Sequence, residues 1–186
     1  MKFPENATTA ERAIEWQKLA EIKDADFGFY DLREQNDEVR YCARVVLWNE
    51  VGEIRVIRSK LGYLQLPGGG IDDGESIEEA LRREAREEAG YSIKDIRPLG
   101  YVFERHESVR HISSYNIAMN YIYEAWADKE VGTSLTDGEL ADGYEAVWMK
   151  PEDFVAEQEK CRPESYGGHF SHKRDLLVVR HCCLHE

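Results

Sequence analysis

Basic residues are in short supply. Lys and Arg number 24 against 37 Asp and Glu, a formal net charge of -13 over 186 residues with His neutral. That balance excludes a protein that coats DNA or RNA through a basic surface, and it disfavours a basic membrane-surface helix. Long hydrophobic runs are also missing: none approaches the roughly 20 apolar residues of a membrane span. The opening Met1-Lys2-Phe3-Pro4-Glu5-Asn6 carries no apolar segment of signal-peptide type. The four cysteines, Cys42, Cys161, Cys182 and Cys183, fall at spacings that match no disulfide framework. Reduced thiols and a cytoplasmic location are the expectation. The tail His181-Cys182-Cys183-Leu184-His185 reads as a terminal helix burying small thiols in preference to a soft-metal site.

What is present is enough for a packed core, with 42% hydrophobic and 11% aromatic residues. The length fits one domain with short extensions: a helical N-terminal extension over 1–39, the main domain over 40–160, and a C-terminal loop and helix over 161–186. Apolar spacing through Ala10, Ala13, Ile14, Trp16 and Ala20 predicts an amphipathic helix from about Thr8 to Ile22. Tyr41–Trp48 and Ile54–Ile57, separated by Asn49-Glu50-Val51-Gly52, read as a hairpin. Leu66-Pro67-Gly68-Gly69-Gly70 reads as a turn outside regular structure. Ser76-Ile77-Glu78-Glu79 is a capping box that starts a helix over Ile77–Ala89, stopped by Gly90. Strands follow around Leu99–Phe103, over Ser113–Ala125 with clean alternation, and over Glu145–Met149, with a polar loop across Asp128–Gly143. Pro151 opens a short helix, Cys161–Ser171 is a loop, and His172–Cys183 is a last helix. The fold class is α/β or α+β with a mixed sheet.

The helix after the glycine run breaks the rules of stability. Glu84, Glu87 and Glu88 stand at i, i+3 and i+4, on one face within about 100° of arc. Ile77, Leu81 and Ala85 lie on or beside that arc, whereas Glu79, Arg82 and Arg86 point away, so the three carboxylates border the buried stripe. Glu87 and Glu88 also occupy the last turn, where the helix dipole favours cations by roughly 0.3–1 kcal/mol each. Local rules that fail together mark functional sites. Clustered carboxylates become favourable once a hard divalent cation takes their oxygens. An acidic chain that handles an anionic substrate needs such a cation between the like charges. The alternative is a solvated helix laced with ion pairs such as Glu79–Arg83 and Arg83–Glu87. The preceding loop shifts the balance toward the metal: Gly68, Gly69, Gly70 and Gly74 let main chain approach closely, with Asp72, Asp73 and Glu75 beside them. No Gly-Lys-Ser/Thr follows, so this is not a P-loop.

Gly69 to Tyr91 resembles the Nudix box, G-x5-E-x7-R-E-U-x-E-E-x-G-U with U a bulky aliphatic residue. Gly69, Glu75, Arg83, Glu84, Glu87, Glu88 and Gly90 fill all seven fixed positions. Ala85 is small for its U position and Tyr91 is aromatic at the other; both bear on packing. The looser likeness runs from about Arg40 to Phe154. The resemblance implies an α/β/α sandwich around a mixed sheet and a hydrolase of phosphoric anhydrides. The substrate would be a nucleoside diphosphate linked to another moiety, with Mg²⁺ or Mn²⁺ as cofactor. It implies Glu84, Glu87 and Glu88 as metal ligands, joined by the carbonyl of Gly68, with Glu75 and Arg83 bracing the helix and Gly69 and Gly90 shaping its ends. The general base stands either in the box or in the later acidic loop, where Glu139 and Glu145 are candidates. Arg105, His106, Arg110 and His111 form the basic cluster of mid-chain, with Arg105 and Arg110 as candidate substrate contacts against the plainer reading of a solvated strand end. Tyr115, Tyr121, Tyr123 and Trp126 could stack on a base, but their alternation fits core or sheet surface. Competing readings are a nucleotide sensor and a diphosphate-handling isomerase on the same fold, both of which predict a degraded box. Neither nucleic acid nor membrane is an expected partner. The N-terminal helix and the tyrosine-rich strand could serve a homodimer.

Overall fold

A computed structural model describes residues 3–29, 38–60, 62–106 and 117–185. Eight strands form one mixed sheet: β1 (Lys18–Lys23), β2 (Val39–Trp48), β3 (Ile54–Arg58), β4 (Leu64–Gln65), β5 (Gly68–Gly70), β6 (Tyr91–Arg105), β7 (Ile117–Glu130) and β8 (Glu145–Met149). The order is β1-β6-β7-β2-β3-β4, with β5 beside the first half of β2 and β8 beside β3. The pairs β1/β6 and β2/β7 are parallel; the others are antiparallel.

Period-two alternation along β2 and β7 divides the core. Ala43, Val45, Leu47, Met119, Tyr121, Tyr123 and Ala125 face the box helix α2 (Ile77–Glu87), which returns Ile77, Ala80, Leu81 and Ala85, all fully buried. Val46 and Ile122 point the other way, into a cluster with Phe154 of α4 (Pro151–Gln158) and Phe170, Val178 and Val179 of α5 (Tyr166–Val179). Helices therefore cover both faces, and the α/β/α sandwich expected from sequence is the observed fold. Tyr121 and Tyr123 are core residues, with Trp16 edge-on to them at 4.9 and 5.3 Å. Tyr115 lies outside the described residues.

Four expectations about elements need correction. The N-terminal helix α1 spans Thr9–Ala13 and stops as Ile14 turns extended. Lys18–Lys23 is instead an edge strand running beside β6 and burying Ile22 completely. Tertiary pairing overrides the helical spacing of the apolar residues there. The glycine run is not outside regular structure: Gly68–Gly70 pairs with Cys42–Arg44, and at Gly68 a side chain would stand 2.2 Å from the Ala43 carbonyl of β2. The polar stretch before β8 contributes the last residues of β7, to Glu130, and a single-turn helix α3 (Asp137–Ala141) capped by Thr136. The last helix begins six residues earlier than His172, at Tyr166, because Ser165 caps it by accepting from the Gly168 amide at 3.1 Å; this supplies the start that the Gly167-Gly168 pair obscures.

Candidate active site

The box is held by its neighbours at both ends. Ser76 and Glu79 form the reciprocal cap at the start of α2, Glu79 accepting from the Ser76 amide at 2.8 Å and Ser76 accepting from the Glu79 amide at 3.3 Å. Glu79 thus serves the cap and not an ion pair with Arg83. A second cap comes from far away in sequence: the buried Glu11 of α1 accepts from the Glu78 amide at 2.8 Å. At the other end Gly90, at φ +77°, ends the helix. Its carbonyl accepts from the Val131 amide and that of Glu87 accepts from the Ser134 amide, both at 2.8 Å, so the turn after β7 is tied to the last turn of α2.

Between these ends Arg83 organises the carboxylates. Its guanidinium grips Glu75 with two hydrogen bonds, 2.8 and 2.9 Å, and donates to the Gly70 carbonyl at 2.9 Å. It also reaches Glu84 at 2.7 Å and Glu87 at 3.1 Å. A fork of fixed donors is what lets one side chain serve so many acceptors. The Arg83 bonds hold the Glu75 carboxyl below its ordinary range.

Glu84 and Glu88 are each 8% exposed. Glu84 lies against β5: a Cβ at Gly69 would stand 2.5 Å from its carboxylate oxygen. Glu88 accepts from the Gly68 amide at 2.8 Å. Burial raises both carboxyls above the usual range, and Glu88, with Glu84 as a like-charge neighbour, is pushed up to about 8. Two buried acids held in the charged-ligand position of a helix end are costly to the fold on their own. Among the described residues no three such side chains converge at metal-ligand spacing, because Arg83 engages Glu84 and Glu87 while the Gly68 amide engages Glu88. The donor set nonetheless fits a hard divalent cation: carboxylate oxygens, those of Glu84 and Glu88 on buried side chains, with main-chain carbonyls of the glycine strand alongside.

A family model for the NUDIX domain matches residues 38–166. The chain belongs to the Nudix family. Among curated Nudix relatives, an RNA pyrophosphohydrolase of Wolbachia sp. subsp. Brugia malayi is 42% identical over 59 residues, 31% of this chain and 37% of that protein. The nucleoside triphosphatase NudI of Escherichia coli O17:K52:H18 is 34% identical over 105 residues, 50% of this chain and 66% of that protein. The chain therefore spans between about a third and just under two thirds of the relatives it matches. A NUDIX hydrolase of Nitrosomonas europaea superposes with TM-score 0.53 at 18% identity, over 74% of this chain and 89% of that one. A MutT protein of Bacillus halodurans gives 0.52 at 18%, over 72% and 80%. These likenesses show a shared fold.

The remaining residues singled out from sequence are spread across this Nudix fold. Glu139 sits in α3, its carboxylate accepting from the Thr136 amide, and its charge is felt by Glu88. Glu145 is exposed at the start of β8, opposite Arg58 of β3. Arg105 lies toward the far edge of the sheet, with β7 and β2 between its strand and β5; it pairs with Glu21 of β1 at 3.7 Å and covers the Phe103 ring. Arg110 and His111 lie outside the described residues. The carbonyl of Gly68 accepts from Arg44 at 2.7 Å.

Arg44 is the site residue that sequence reasoning misses. From the middle of β2 it donates to the Gly68 carbonyl and to Asn120 Oδ1, 3.2 Å, and its charge lowers the carboxyls of Glu84 and Glu88 against the larger effect of burial. The signal was available: an arginine inside the apolar run Tyr41-Cys42-Ala43-Arg44-Val45-Val46 has no place in a buried strand without a charged or polar partner.

Proposed function

We propose that this protein is a metal-dependent hydrolase of phosphoric anhydrides that cleaves the diphosphate bond of a nucleoside diphosphate linked to another moiety. The observation that carries the reading is the pair of buried carboxylates, Glu84 and Glu88, packed against a strand of glycines, with Glu87 one turn from Glu84 and Arg83 bracing the set. The names of the relatives, a pyrophosphohydrolase and a nucleoside triphosphatase, support the same bond type.

Glu84, Glu87 and Glu88 would hold Mg²⁺ or Mn²⁺, with the Gly68 carbonyl as a further oxygen. Bound there, the cation would neutralise the diphosphate and lower the pKa of a water. Arg83 aligns the Glu84 and Glu87 carboxylates through its Nη1, and Glu75 holds the other side of its guanidinium. Glu139 and the box glutamates are the alternatives for accepting the proton of the attacking water, and the charge of Glu139 reaching Glu88 favours Glu139 over Glu145 in the later loop. Small nucleotide derivatives are the substrate class that membership of the Nudix family supports.

The test is product release from nucleoside triphosphates, nucleoside diphosphate derivatives and a 5′-triphosphorylated oligonucleotide, each with Mg²⁺, Mn²⁺ or chelator. Glu87→Gln is expected to lower turnover by at least about a hundredfold, as loss of a charge that acts in the transition state does. Glu139→Gln is expected to flatten the limb of the pH profile that belongs to the base. Metal-independent turnover, or full activity in Glu87→Gln, overturns the reading.

A further inference from the structure

The sheet face turned away from α2 carries a second concavity, of about 260 Å³, between the middle strands and the first turn of α5. Arg40, Arg44 and Arg174 lie on its wall with Asn120, whereas the box glutamates do not. One carboxylate shares that wall, Glu104, and it is engaged by Arg174 at 3.3 Å and His106 at 3.1 Å. Arg174 is also held by the buried Asp175 at 2.7 and 3.1 Å, so its charge is matched by two carboxylates, and the positive charge the wall offers a ligand comes from Arg40 and Arg44.

Asn120 says what kind of atom is missing. It is 1% exposed, and its Oδ1 accepts from Arg44 Nε at 3.2 Å, which fixes the orientation of the amide. Its Nδ2 has no hydrogen-bond partner. A buried amide nitrogen left unpaired is unfavourable by about 1–3 kcal/mol, and natural interiors rarely keep one without a ligand or water to receive it. The Arg40 and Arg44 guanidinium groups on the same wall are donors only, and the Ser171 hydroxyl can donate as well. Donors of this kind around an unpaired amide nitrogen select a ligand rich in acceptors.

We propose that this pocket binds a phosphate group, and that the group is one the substrate carries away from the anhydride being cleaved. The second clause rests on the hydrolase reading; phosphate binding by the pocket does not. Arg44 joins the two places: it donates to the Gly68 carbonyl at 2.7 Å, and the Gly68 amide donates to Glu88 at 2.8 Å. A substrate with its remote phosphate on Arg44 and Asn120 would have its anhydride across β5, beside the box carboxylates. The pocket thus favours phosphorylated substrates over those whose remote end is an uncharged base or sugar.

The experiment is calorimetric titration of inorganic phosphate into the full chain in chelator, so that the box carboxylates have no cation through which to take it up. Saturable binding is expected. Asn120→Asp keeps an acceptor for Arg44 and replaces the free donor with an anion, and it should weaken binding at least tenfold. Gly167→Asp is the second variant: Gly167 is on the same wall, a Cβ there meets nothing within 4 Å, and an acid in the first turn of α5 suits the helix. It should keep or raise the melting temperature while weakening phosphate binding severalfold, which loss of structure cannot do. No uptake in chelator, uptake that requires Mg²⁺, or uptake unchanged in both variants overturns the proposal. A protein that hydrolyses anhydrides with Mg²⁺ yet takes up no phosphate in chelator keeps the function and loses this pocket; the opposite pair of results does the reverse.

Discussion

Gly68 and Gly69 are adjacent, both lack a side chain, and would fail for different reasons if given one. A methyl at Gly69 would meet the end of the Glu84 side chain, which can swing aside. A methyl at Gly68, at φ +141°, would stand 2.2 Å from the backbone carbonyl of Ala43, which cannot. Gly69→Ala should therefore fold, with a modest change in urea midpoint, and lose at least about tenfold in turnover as Glu84 leaves its place against β5. Gly68→Ala should unfold more readily, on the order of 2–4 kcal/mol, because β5 must detach from β2. Equal stability loss in both would show that Glu84 is not displaced independently of the strand. The spacing of the box marks Gly69 as a fixed position without revealing why. The reason is a contact with a residue fifteen places on, which becomes visible once α2 lies beneath β5. Arg44 illustrates the converse: its oddness is plain in the sequence, but its partners, Gly68 and Asn120, come from two other strands.

At the scale of elements, legibility follows locality. The cap of α2, the hairpin of β2 and β3, and Pro151 at the head of α4 are written within a few residues, and all appear where the sequence puts them. The edge strand β1 is not legible, because its apolar residues fit a helix equally well and the deciding interaction is the backbone of β6. Equally hidden is the support given to the chain just ahead of the box. Gln158, fully buried in α4, accepts from the Leu64 amide at 2.9 Å and donates to the Leu64 carbonyl at 3.0 Å, while Asp175 of α5 accepts from the Leu66 amide at 3.0 Å. Two helices thereby act as a surrogate neighbouring strand for 64–66, two residues before Gly68. Gln158→Leu fills the same space and leaves two buried backbone groups unpaired, at about 1–3 kcal/mol for each. Amide exchange at Leu64 should quicken along with that loss, and turnover should fall as the glycine strand loosens. Unchanged exchange at Leu64 would mean that the helix side chain is not what anchors this segment.

Among the described residues, the box acids gather around α2, whereas Arg40, Arg44 and Arg174 gather under α5 together with the carboxylates of Glu104 and Asp175. The composition reveals the excess but not its separation, since the cations of the α5 face come from β2 and from a helix more than a hundred residues later. Inside that face Glu104 is fully enclosed. Burial alone would raise its carboxyl, but the hydrogen bond with His106 and the charge of Arg174 outweigh it and leave the group below the ordinary carboxylate range. A carboxyl whose pKa is lower in the folded chain than in the unfolded one stabilises the fold fully above the unfolded value, near 4.5, and that contribution disappears as pH falls through the lower folded value. The wild-type protein should accordingly lose melting temperature on acidification below about pH 4.5, partly through this site. Glu104→Gln should be less stable than wild type at pH 7, and the gap should narrow as pH falls below about 4.5 and through the lower folded value at which the wild-type carboxyl also becomes neutral. A gap of equal size at both ends of the pH range would assign the loss to packing in place of charge. A gap that closes would show that the carboxylate under α5 holds Arg174 and His106 together through its charge, and with them the wall of the pocket that Arg174 shares with Asn120.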